Sequence, residues 1–113
     1  MKNVEGIYAV EILGPYGWEQ FSTAFISDGE FRSASAEHFT TGTYAIDGEA
    51  FEMEGNLTQH VDSRTLFGQS DVKGLPIEFR GKVEAGVIDG EARVIGNGKF
   101  ALRFRLNRLP VLH

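Results

Sequence analysis

The stretch TYAIDGEAFEME, Thr43 to Glu54, sets a tight turn between two runs that alternate apolar and polar residues. Phe51 and Met53 alternate with Glu52 and Glu54, and Gly55 and Leu57 continue the pattern against Asn56. A period of two gives a strand with one dry face and one wet face. Asp47-Gly48 is a preferred pair for a type I′ turn, whose two central residues both take positive φ. Strand, two-residue turn and strand make a hairpin, and the rest of the chain repeats that unit.

Working outward, the closing run is the clearest strand. Phe100, Leu102, Phe104 and Leu106 point one way, and Lys99, Ala101, Arg103, Arg105 and Asn107 the other. Ile77, Phe79, Gly81 and Val83 likewise oppose Glu78, Arg80, Lys82 and Glu84. Capped runs of helical period are missing, so the chain reads as all-β. The pattern predicts strands over 4–13, 19–27, 30–36, 39–46, 49–60, 75–88, 91–96 and 99–109. Asp28-Gly29, Asp47-Gly48, Asp89-Gly90 and Asn97-Gly98 are hairpin-sized links, and only 61–74 is long. Eight strands joined in this way form an up-and-down meander. Closing it into a small β-barrel removes the exposed edges. A two-sheet sandwich would need longer crossovers than the sequence supplies.

The bulk properties agree with a single domain over 1–113. At 42% hydrophobic and 24% charged the composition is globular, and the net charge of −5 disfavours a direct nucleic-acid surface. There is no cysteine, which removes disulfides, thiolate metal sites and cysteine nucleophiles. Glu5 and Glu11 interrupt what would be the apolar part of an export signal, and no run approaches the ~20 apolar residues of a membrane span. A cytoplasmic location without a membrane role is expected.

No catalytic set is legible. GNGKFA at 96–101 matches the form of a dinucleotide fingerprint, but it opens an alternating strand rather than a helix. His60, Asp62 and Ser63 lie too close along one segment to build a triad, and the histidines lack ligand-like spacing. We therefore expect a non-enzymatic protein with no cofactor and no metal.

Three surface features remain as candidates. The tripeptide Asp-Gly-Glu occurs at 28–30, 47–49 and 89–91. Taken as the second, fourth and sixth turns of a meander, all three fall at one barrel end. Asp28, Glu30, Asp47, Glu49, Asp89 and Glu91 would then form an acidic rim for a basic protein partner. At the opposite end Tyr16, Trp18 and Phe67 either frame the mouth of a small apolar ligand cavity or cap the barrel as a lid. Along the first strand, Tyr8, Val10 and Ile12 facing inward leave Ile7, Ala9 and Leu13 outward, an apolar face suited to a homodimer.

VEGIYAVEI with its following glycine-bearing turn, ISDGEF, TGTYAIDGEAF and the closing FALRFRLNRLP resemble the GrlR-like family of small bacterial proteins. The resemblance runs nearly end to end, carried mostly by turn and core positions. It implies a lipocalin-like eight-stranded barrel, often dimeric, and a protein that represses by binding a helix-turn-helix transcriptional activator. The resemblance also sets an acidic Glu-Asp-Glu-Asp motif, carried by the regulator for which the family is named, against Ile46-Asp47-Gly48-Glu49, where only Asp47 and Glu49 keep the charge. Gly6-Ile7-Tyr8 is similar to the Gly-x-Trp signature of lipocalins, with Tyr in place of Trp.

Overall fold

The computed structural model describes residues 3–61 and 72–110, with the backbone alone for 97–100. Eight strands follow one another: β1 (Gly6–Gly14), β2 (Gly17–Ser27), β3 (Glu30–Ala34), β4 (His38–Asp47), β5 (Ala50–Gln59), β6 (Leu75–Glu84), β7 (Val87–Val94) and β8 (Asn97–Arg108). Each pairs antiparallel with its neighbours in sequence, and β1 meets β8 from Tyr8↔Arg108 to Ile12↔Phe104. The result is the closed up-and-down barrel that the alternation predicts.

Inward positions carry the core. Tyr8, Val10 and Ile12 of β1, Phe51, Met53 and Leu57 of β5, Ile77, Phe79 and Val83 of β6, and Phe104 and Leu106 of β8 are all buried. Phe51 stacks on Tyr44 at 5.4 Å and meets Phe79 edge-on at 6.1 Å, which ties three strands through ring contacts. Burying such side chains stabilises the barrel by about 1.5–3 kcal/mol each.

Both ends are plugged from outside the sheet. At the end holding the β2–β3, β4–β5 and β6–β7 turns, buried Val4 sits beneath Tyr8, whose hydroxyl donates to the Val4 carbonyl at 2.7 Å. Burial pushes the Tyr8 phenol above its ordinary pKa; the nearby Arg108 opposes that shift and Tyr44 adds to it. Arg108 also donates to the carbonyls of Asn3 and Glu5, holding the chain start across this end. At the other end Val72 is buried and its carbonyl accepts from the Gln59 amide at 2.8 Å.

Three turns differ from the sequence reading. Between β6 and β7 the link is Ala85-Gly86, with φ of 51° and 80°, and Asp89-Gly90 lies inside β7. Between β7 and β8 the turn is Ile95-Gly96, and Asn97-Gly98 begins β8. The central residues between β4 and β5 are Gly48-Glu49, with Asp47 paired to Ala50, and Gly48 alone takes positive φ. That pattern has the glycine-first signature of a type II′ turn rather than type I′. The first Asp-Gly pair behaves as read: Asp28 and Gly29 have φ of 51° and 76°.

Candidate functional site

Closure of the barrel leaves two surface regions and one interior cavity as places where chemistry is concentrated. The first region is the outer wall of β8, β1 and β2. Ile7 pairs with Phe25 and Leu13 with Trp18, both pairs on the outside, with Ala9 opposite Thr23 between them. Ile7, Leu13, Phe25 and Leu109 are all exposed, and the Leu109 amide donates to the Ile7 carbonyl, which sets Leu109 beside that pair. The expected outward set Ile7, Ala9 and Leu13 therefore stands on the outer wall, and β2 and the chain after β8 extend it.

Trp18 is on this wall because of a β-bulge. The pairing runs Val10↔Ser22 and then Glu11↔Gln20, so Phe21 is an extra residue in β2. Phe21 and Ser22 both turn inward, and the face of every residue before them is exchanged. Trp18 is thereby placed under the Arg105 guanidinium, 4.2 Å from the ring centroid, and does not frame a mouth. The Glu11 carboxylate accepts from Arg105 at 3.1 Å and from the Asn107 amide. Glu11, Arg105, Asn107 and Trp18 form a partly buried polar cluster on the same wall, between the Ile7–Phe25 pair and Leu13. Tyr16 is 98% exposed at the tip of the β1–β2 turn. Phe67, the third member of the expected mouth, lies outside the described residues.

The second region is acidic. Asp28, Glu30, Asp47 and Glu49 do share one end, but Asp89 and Glu91 do not join them. The Ala85-Gly86 turn places these two on the outer wall of β7, where Asp89 pairs with Arg103 at 3.2 Å and Glu91 with Arg93 at 2.9 Å. They belong to a charged groove with Glu78, Arg80, Lys82 and Arg103 in which both signs alternate. At the end itself Glu30 is paired with Arg32 at 2.8 Å and Glu49 with Lys82 at 3.7 Å. Among the described residues Asp28 and Asp47 have no ion pair. Glu52 and Glu54 continue the negative charge from this end along the exposed face of β5. The alternation placed both on a wet face, and only the register, Ala45↔Glu52 and Thr43↔Glu54, joins them to Asp47 as one acidic wall.

The interior cavity has a volume of ≈ 50 Å³, bounded by residues that include Phe21, Ser22, Ser33, Thr40, Met53 and Phe104. Small-molecule pockets are typically ~300–1,000 Å³. Among the described residues no group of three or more His, Asp or Glu is placed to share a metal ion. No protein-family model and no curated protein matches the chain.

Proposed function

We propose that this barrel is a cytoplasmic, non-enzymatic regulatory protein that binds and sequesters a protein partner, with a helix-turn-helix activator as the class the GrlR-like resemblance implies. The observation that carries the reading is the position of the unsatisfied surface. The barrel interior is occupied by its own side chains apart from a cavity of ≈ 50 Å³, while Ile7, Leu13, Phe25 and Leu109 are exposed on an outer wall that closure leaves uncovered. Exposed apolar side chains around a Trp–Arg contact have the composition of interface cores. In this reading that wall pairs two copies of the chain as a homodimer, and the acidic face of β4 and β5 meets the partner.

The acidic face acts by complementary electrostatics. Asp47, Glu49, Glu52 and Glu54, with Asp28 and Glu30 at the same end, steer a basic surface toward the barrel and raise the association rate more than the lifetime. A triple variant Asp47→Lys, Glu49→Lys, Glu52→Lys is expected to lower the association rate with a purified helix-turn-helix activator by about tenfold at low salt. Surface plasmon resonance checks it, with circular dichroism to show an unchanged fold. Capture at the wild-type rate would remove this face from the mechanism. A small apolar ligand is the weaker reading, since a cavity of ≈ 50 Å³ is several-fold too small for one.

A further inference from the structure

The bulge in β2 has a second effect, on the inside. By turning Phe21 and Ser22 inward together it sets a short side chain beside a large one in the wall. Ser33 of β3 and Thr40 of β4, which pair with each other, are further short side chains on the lining, and Ala92 of β7 is a fourth. Larger side chains, Met53, Leu57 and Ile77 among them, supply the rest. Close packing needs large and small residues to interdigitate, and these four short ones leave a void of ≈ 50 Å³. Its surface is almost wholly hydrocarbon. The Ser22 Oγ is shut off from it, with essentially no accessible surface of its own. A buried water needs about two to four polar partners, so a cavity with this lining stays dry. The atoms around a dry void lack dispersion contacts on one side, and an apolar guest restores them.

We propose that this cavity is a dry binding site for one small, uncharged, apolar guest, a noble-gas atom or a diatomic such as dioxygen. The volume sets the size limit: ≈ 50 Å³ is about a third of the ~150 Å³ of an engineered apolar cavity that admits benzene or xenon. One atom or a diatomic fits, and a ring or an acyl chain does not. The site is independent of the partner-binding reading, because it lies inside the barrel and uses none of the outer-wall residues. It also gives the Phe21 bulge a consequence in the core: the short Ser22 side chain that it turns inward helps to leave the space open.

Methyl-resolved magnetic resonance of the whole chain under xenon pressure tests this. The methyl resonances of Val10, Met53, Leu57 and Ile77, all on the lining, are expected to shift and saturate as the xenon pressure rises. Those of Val4 and Val83, buried elsewhere in the core, should drift only slightly and without saturation. Dioxygen, which is paramagnetic, should broaden the same lining methyls before any others in the core. Ala92→Val and Ser22→Val each add methyl groups at a lining position, and the saturable shift is expected to be lost in both. The second variant carries the comparison if the first does not fold. A wild type with no saturable shift at the lining methyls overturns the proposal. So does a shift that persists undiminished in a folded filling variant, because the guest would then sit elsewhere.

Discussion

The pentapeptide Ile-Asp-Gly-Glu-Ala occurs at 46–50 and again at 88–92, and the two copies have different structures. In the first, Gly48 and Glu49 are the centre of a turn, with φ of 62° at Gly48 and open space around a Cβ built there. In the second, all five residues lie in β7 between two neighbouring strands. Gly90 faces Gly81 on one side and Phe104 on the other, and a Cβ at Gly90 would fall 2.1 Å from the Arg80 carbonyl oxygen. One glycine is needed for its backbone conformation, the other for close approach of two strands. The carboxylates separate in the same way. Asp47 projects from a barrel end without an ion pair among the described residues, while Asp89 is held by Arg103 on the wall. Identical local sequence thus gives a presented acidic turn in one place and a structural strand in the other.

Hydrogen exchange gives the largest expected contrast. The Gly90 and Glu91 amides, inside a strand flanked on both sides, should exchange on the order of a thousandfold more slowly than those of Gly48 and Glu49, since core strands open only near the global unfolding free energy and turns open freely. Equal rates at the two copies would place a turn at 89–90 and dissolve the comparison. Next come the matched alanine substitutions, measured by urea denaturation. Gly90→Ala must displace backbone and is expected to cost about 3 kcal/mol. Gly48→Ala meets no atom and pays only for the left-handed conformation, about 1–2 kcal/mol. The smallest effect is a gain. Ala85 holds a φ of 51° to make the turn that excludes Asp89-Gly90 from that role. Ala85→Gly should stabilise by about 1 kcal/mol through relief of that strain, and a loss of stability would contradict the turn assignment.

Much of the fold is legible because burial has a strict period. The inward sets of β1, β5 and β6 follow from alternation alone, and with the short links they require a meander. The misplaced turn is also written in the sequence, in a less local form. The buried positions are odd at Ile77, Phe79 and Val83, then even at Ile88, Ala92 and Val94. Such a change of parity demands a turn with an even number of residues between 83 and 88, and pairing of Glu84 with Val87 leaves Ala85-Gly86 as that turn. The Asp-Gly at 89–90 is the stronger turn signal in isolation, and register overrides it. The β2 bulge is harder to read. A single inserted residue exchanges faces from Trp18 to Gln20, and its only trace is that apolar Phe21 stands next to inward Ser22. For the candidate site, the sequence supplies the outward face of β1 and the acids around Asp47. It cannot supply the pairing that adds Phe25 and Trp18 to one and Glu52 and Glu54 to the other, because those neighbours are set by register across strands.

Recognition on the outer wall of the barrel has a direct consequence for self-association, which sedimentation velocity at micromolar concentration reads. Wild-type protein is expected to sediment as a dimer, and the variant Leu13→Glu, Phe25→Glu, which places charge in the apolar strip without touching the core, as a folded monomer. A wild-type monomer, or a variant that remains dimeric, would contradict the assignment of this wall as the contact between two copies.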